Sequence, residues 1–130
     1  MRIVNALLCL LFVLFVAVQY DDPDGPIWML IYAIPAAWAG FAAYRPNRLL
    51  GRLPTLGLGL CLLVSIVGML VAWPTAEGFW RIELWWSEAP ADQEIAELAR
   101  EGMGMMIVTV ALLVVAFTRW RLGRSRPMQA

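Results

Sequence analysis

Four long apolar runs, separated by short polar segments, dominate the chain. None of the runs contains a charged residue, and their lengths are 18, 20, 24 and 17 residues. The runs are Ile3–Tyr20, Gly25–Tyr44, Leu53–Ala76 and Gly102–Thr118. A helix needs about 20 apolar residues to cross about 30 Å of hydrocarbon. The pattern predicts an all-α integral membrane protein with four transmembrane helices, at about 3–20, 26–44, 53–73 and 102–120.

The connections predict how these spans follow one another. The first two connections are too short for anything but antiparallel neighbours, which indicates an up-down-up-down bundle. We interpret residues 1–130 as one four-span domain, with an outer loop and a helix extension over 74–101. The last helix is expected to begin near Pro90, because proline suits the first helical turn, and to run to about Trp120. Residues 79–86 fit either a strand or a short interfacial helix, and we interpret their tryptophans as a membrane-surface anchor.

Composition excludes several classes of chemistry. The chain is 62% hydrophobic and 15% charged, and it has no histidine. Histidine-ligated haem, histidine-bearing zinc sites and histidine general bases are therefore excluded. The two cysteines, Cys9 and Cys61, lie in different predicted spans and form no CxxC pair, which disfavours a membrane thiol oxidoreductase. The sequence contains no recognisable pair of catalytic nucleophile and general base, so we expect no enzymatic activity. We also expect no cofactor.

The zero net charge hides a strong segregation of charge. Eight of the ten arginines lie before the first span, between the second and third spans, or after the fourth. All ten acids lie on the other side, around residues 21–24 and 77–101. The positive-inside rule places both termini in the cytoplasm, and we expect a bacterial inner membrane. No small-x-small cleavage site lies around residues 17–19, so we interpret the first run as a span and not a signal peptide. Nucleic acid is not an expected partner.

Small residues recur at helical spacing inside the spans. Such faces let helix backbones approach closely, and the neighbour could be a helix of the same chain or of another subunit. These residues are Gly57, Cys61 and Ser65 in the third span and Ala33, Ala36, Ala37 and Gly40 in the second. The four apolar runs contain no carboxylate, histidine or arginine, which disfavours a proton-coupled transporter.

The sharpest motif is the turn between the first two spans, Gln19-Tyr20-Asp21-Asp22-Pro23-Asp24-Gly25-Pro26-Ile27-Trp28, with Tyr32 one helical turn later. We expect Asp22 to cap the second helix and Pro23 to be its first residue. The motif resembles the transmembrane protein 220 family, in which a glutamine and an Asn-Asp-Pro-Asp turn precede a tryptophan and a tyrosine. Asp21 stands here at the asparagine position. A second stretch, Arg100-Glu101-Gly102-Met103-Gly104, resembles the family's Arg-Glu-x-x-Gly sequence. The resemblance implies a small four-helix membrane protein and no particular activity.

Two hypotheses concern the charged residues of these motifs. Arg100 is predicted to bridge to Asp22 or Asp24 and so latch the fourth span to the first hairpin. Alternatively, Asp21, Asp22, Asp24 and Glu101 bind Ca²⁺ or another hard cation through carboxylate oxygens.

Two functions follow from these features. The first is an accessory or structural subunit, or an assembly partner, of a larger membrane complex, with the bilayer and other membrane subunits as its partners. The alternative is a ligand-binding, cation-binding or transport protein that uses an acidic outer mouth, either as a single copy or as a homo-oligomer. The candidate site residues for either role are Gln19, Asp21, Asp22, Asp24, Trp28, Tyr32, Arg100 and Glu101.

Overall fold

A computed structural model describes residues 1–73, 81, 83 and 86–125 of the chain. These residues form four α-helices and no strand. The helices are α1 (Arg2–Val18), α2 (Gly25–Tyr44), α3 (Arg52–Ala72) and α4 (Pro90–Arg124). Each is long and apolar enough to cross a membrane. The prediction of an all-α protein with four candidate membrane spans is therefore confirmed.

The turn between α1 and α2 differs from the sequence prediction. A short 3₁₀ turn, Gln19–Asp21, follows α1, and it closes when the Asp22 N–H donates to Gln19 O. Asp22 is extended, and a turn over Pro23 and Asp24 separates it from the helix. The predicted cap at Asp22 and the predicted start at Pro23 are wrong: Asp24 occupies the N-cap position and α2 begins at Gly25.

The ends of α3 and α4 follow local hydrogen bonds. A second 3₁₀ turn, Pro46–Leu50, leads to α3, where Thr55 Oγ1 donates to Gly51 O at 2.7 Å. The α4 helix begins at Pro90 as predicted, and Asp92 lies in its first turn. It ends at Arg124, four residues beyond the predicted end. Its 35 residues make a helix of about 52 Å, since each residue adds about 1.5 Å.

The chain divides into two compact units. The first comprises Met1–Leu62 and Val110–Ala130, and in it α1 and α2 pack against each other. Its described core contains Asn5, Phe12, Tyr32, Pro35, Ala39, Ala42, Leu49, Leu58, Leu112, Val115 and Thr118. The second comprises Leu63–Thr109, and its buried residues include Ser65, Ala96, Ala99, Val108 and Thr109. The interpretation of residues 1–130 as one domain stays a prediction.

Most of the predicted aromatic anchor lies outside the described residues. These undescribed positions are 74–80, 82 and 84–85. The choice between a strand and a short interfacial helix therefore stays open.

Candidate functional site

The predicted outer motif forms one hydrogen-bonded turn in the first unit. The Gly25 N–H donates to Asp22 O at 2.9 Å, and the Ile27 N–H donates to Asp24 O at 3.0 Å. Asp24 also accepts a hydrogen bond from Trp28, whose Nε1 lies 2.9 Å from Asp24 Oδ2. The Asp24 carboxylate thus holds the Trp28 ring and makes no side-chain cap on the helix.

Gly25 has a steric role in this turn. A Cβ atom at this position would collide with the backbone oxygen of Gln19. No glycine among the described residues has a positive φ, so the requirement is close approach and not backbone conformation. The glycine therefore lets α2 begin directly against the end of α1.

An aromatic cluster continues inward from the turn. The Trp28 and Tyr32 rings lie 5.6 Å apart between centroids, as expected for residues four positions apart on one helix. Tyr32 in turn lies 5.5 Å from Phe15 and 6.0 Å from Phe12 of α1. Phe12 is fully buried. The motif tyrosine thus packs against α1, and the motif tryptophan packs against that tyrosine.

The acids of the turn do not form a metal site in the part of the chain that the structure describes. Asp21 and Asp22 are exposed, and Asp24 is half-buried and bonded to Trp28. No group of three or more possible ligands lies close enough together there to hold an ion. Cation binding by the acids of the two motifs therefore stays a prediction from the sequence alone.

The second motif lies in the other unit. Arg100 is exposed on α4, and Glu101 next to it is half-buried. The proposed pairing of Arg100 with Asp22 or Asp24 stays a prediction.

The same unit contains a short-range ion pair. Arg81 Nε lies 3.1 Å from Glu83 Oε1. A backbone hydrogen bond and this guanidinium lower the pKa of the exposed Glu83 carboxyl.

The small-residue faces divide between the chain's own packing and its surface. A Cβ on Gly57 would lie 3.3 Å from the Trp38 ring, and one on Gly40 would lie 3.2 Å from Cys9 Sγ. Ser65 and Ala36 are buried, and Cys61 is half-buried. These residues therefore pack within the chain. Ala33 and Ala37, by contrast, are exposed.

A groove of about 450 Å³ runs along α1 and α2 in the first unit. Its lining consists of Cys9, Val13, Ala36, Ala37, Gly40, Phe41, Tyr44 and Arg45. All but Arg45 present mainly apolar surface, and three of them come from the predicted small-residue face of α2. The groove is therefore an apolar depression on the membrane-spanning surface, and the small residues Ala36, Ala37 and Gly40 form its floor.

A buried polar pair, which the sequence pattern does not indicate, lies near the start of α1 and the end of α4. Asn5 is fully buried, and its Nδ2 lies 2.9 Å from Met1 O and 3.0 Å from Thr118 Oγ1. The Thr118 hydroxyl donates in turn to Val114 O at 2.9 Å. Asn5 Oδ1 has no partner among the described residues. The two residues are 113 positions apart, so no local pattern indicates the pair.

Arg119 has a structural role that its sequence position does not reveal. Its Nε lies 3.2 Å from Leu49 O and 3.0 Å from Thr55 Oγ1. These bonds join α4 to the 3₁₀ turn before α3 and to the first turn of α3. Leu49 is fully buried, and hydrogen bonds from charged donors are the stronger kind. Arg119 therefore holds α4 against the 3₁₀ turn and the start of α3.

Comparison with known proteins agrees with the motif resemblance. No curated protein matches the chain, and no solved structure matches it. A family model described as transmembrane family 220, helix, matches residues 11–117, which include both motifs and most of the groove. This match covers well over half of the sequence, and we conclude that the chain belongs to transmembrane family 220.

Proposed function

We propose that the protein is an accessory subunit or assembly partner of a larger membrane complex. The observation that carries this proposal is the groove along α1 and α2, which the described residues leave open. In lipid, helices associate through van der Waals packing, and small residues permit the closest approach. A floor made of Ala36, Ala37 and Gly40 suits a helix from another protein.

The occupant that we propose is a transmembrane helix of a different membrane protein. Two features support this choice over a second copy or a lipid chain. The groove has the small-residue floor that a tightly packed helix requires. At its end, exposed Arg45 has no ion-pair partner among the described residues, so a partner with an acidic residue or helix C-terminus there would complement its charge.

Filling the groove is expected to release the partner. In Ala37→Trp, a large ring replaces an exposed methyl group on the groove floor, so the helix can no longer approach. We expect the amount of partner co-purified in mild detergent to fall about tenfold, equivalent to about 1.4 kcal/mol of binding free energy. Ala17→Trp is the matched control, because Ala17 is an exposed α1 alanine that does not line the groove. Equal partner yields from both variants would contradict the proposal.

We also propose an up-down-up-down arrangement in a bacterial inner membrane with both termini in the cytoplasm. The support is the distribution of arginine over the described helix ends. Arg2 begins α1, Arg45 follows α2, and Arg52 begins α3, while Arg121 and Arg124 lie in the last turn of α4. The acids of the α1–α2 turn and the first turns of α4 lie at the opposite helix ends.

Reporter fusions test this orientation. Green fluorescent protein at the C-terminus is expected to fluoresce, and alkaline phosphatase at the same position is expected to be inactive, because the positive-inside rule keeps that end in the cytoplasm. A phosphatase fusion within residues 74–80 of the third connection is the control and is expected to be active. The reverse pattern would overturn the proposed orientation.

A further inference from the structure

A polar cavity of about 400 Å³ lies in the first unit where α1 begins and α4 ends. Its polar lining comes from Arg2, Asn47, Thr118, Arg121 and Ser125. Two arginines therefore line one cavity, and none of the described residues that line it carries a carboxylate. Neither Arg2 nor Arg121 makes an ion pair with any described residue. This charge arrangement favours an anionic ligand.

The start of α1 and one amide side chain lie beside the same cavity. Arg2 is the first residue of α1, a 17-residue helix whose first N–H groups have no partner inside the helix. Such a helix end attracts anions through its exposed N–H groups and the helix dipole. Asn47 supplies an amide, whereas the Ser125 hydroxyl already donates to backbone carbonyls of α4. Guanidinium and amide N–H groups are donors that bind phosphate oxygens.

A second, apolar groove shares one lining residue with this cavity. It has a volume of about 210 Å³, and its lining is Arg2, Ile3, Ala6, Ala43 and Tyr44. Arg2 borders both spaces. A ligand with a phosphate in the polar cavity can therefore extend a hydrocarbon part along the apolar groove, which is the chemistry of a phospholipid.

We propose that these two spaces form a binding site for a phosphate-bearing ligand, namely the headgroup and adjoining chain of an anionic phospholipid. Arg2 and Arg121 bind the phosphate, the Asn47 amide donates to its oxygens or to the headgroup, and the apolar groove receives the start of an acyl chain. The location in the cytoplasmic leaflet rests on the proposed orientation. Binding in detergent does not depend on orientation, so failure of one proposal is distinguishable from failure of the other.

Native mass spectrometry of the purified protein in a non-ionic detergent tests the site. The wild type is titrated with phosphatidylglycerol and, separately, with phosphatidylcholine. We expect the double variant Arg2→Gln/Arg121→Gln to bind phosphatidylglycerol about tenfold more weakly, because two charge-assisted contacts are lost. Arg48→Gln/Arg52→Gln is the matched control, since it removes the same charge from exposed arginines that do not line the cavity. We expect the control to bind like the wild type.

Two further measurements distinguish the possible outcomes. Asn47→Glu places a carboxylate in the cavity wall at an exposed position and is expected to weaken phosphatidylglycerol binding even if the arginine variant fails to fold. Glycerol 3-phosphate, added as a soluble competitor, distinguishes a free phosphate ester from a lipid. Displacement of the lipid only at a large excess supports a phospholipid site, whereas equally tight binding of the soluble ester assigns the cavity to free phosphate esters. Equal weakening in both arginine pairs, or equal binding of phosphatidylcholine, would overturn the proposal.

Discussion

Asn5→Asp is expected to lower the free energy of unfolding by about 3 kcal/mol at neutral pH, the effect of an unpaired charge in a buried position. Asn5 is fully buried, and its side-chain nitrogen donates to Met1 O and to Thr118 Oγ1. A carboxylate has no proton to donate to these two oxygens, and the Thr118 hydroxyl proton is already donated to Val114 O. Burial would also remove the hydration of the carboxylate. The measurement is unfolding of the purified protein by SDS in mixed micelles, followed by far-ultraviolet circular dichroism.

Asn5→Leu is the control for this prediction. Leucine has the same number of side-chain heavy atoms in the same branched arrangement, it also loses both donated hydrogen bonds, and it removes the side-chain oxygen that has no described partner. The Thr118 hydroxyl keeps its bond to Val114 O. We therefore expect this variant to cost less than about 1 kcal/mol. If both variants destabilised the protein equally, charge burial would not be the cause, and Asn5 would lie in a more polar environment than the structure shows.

Gly25→Ala is expected to be the most damaging single-methyl change in the described outer turn. The new Cβ would collide with Gln19 O, which already accepts the Asp22 N–H. Because the obstacle is backbone and not the tip of a flexible side chain, the turn must open and α2 must shift along α1. We expect a loss of about 2 to 3 kcal/mol in the same SDS unfolding experiment, the usual range for overpacking.

Gly59→Ala separates this steric effect from the general preference of helices for alanine. A Cβ at Gly59 meets no atom within 4 Å, and the position lies inside α3. Alanine there is expected to leave stability unchanged or to raise it by up to about 1 kcal/mol, because glycine loses more backbone entropy in a helix. An equal loss at both glycines would show that neither close approach nor helix propensity explains the requirement at Gly25.

The helices were predictable because the bilayer imposes a length on each apolar run. The prediction of the second span at about 26–44 lies within one residue of α2, Gly25–Tyr44. The start of α4 at Pro90 was also predictable, since proline and an early acid are local signals. The error at Asp22 has a physical reason: the Asp22 carbonyl accepts the Gly25 N–H and closes a turn over Pro23 and Asp24 before the helix begins, and sequence periodicity does not reveal that bond.

The contacts that organise the candidate sites could not be predicted in the same way. Asn5 pairs with Thr118, and Arg119 pairs with Leu49 and Thr55, across long sequence separations. Topology rules treat Arg119 as one of several cytoplasmic charges, but its guanidinium satisfies a backbone carbonyl inside the fold. The small residues illustrate the same limit: their spacing predicts close packing, and only the fold shows that Gly57 faces Trp38 while Ala37 faces outward.

Site-specific photocrosslinking in living cells tests the proposed role as a subunit most directly. p-Benzoylphenylalanine replaces Val13, which lines the groove, or Leu14, a neighbouring exposed residue of α1 outside it. We predict that irradiation links the Val13 variant to one discrete membrane polypeptide of different mass and that the Leu14 variant gives no such product. Lipid adducts alone, an adduct between two copies of this chain, or the same polypeptide captured from both positions would contradict the account.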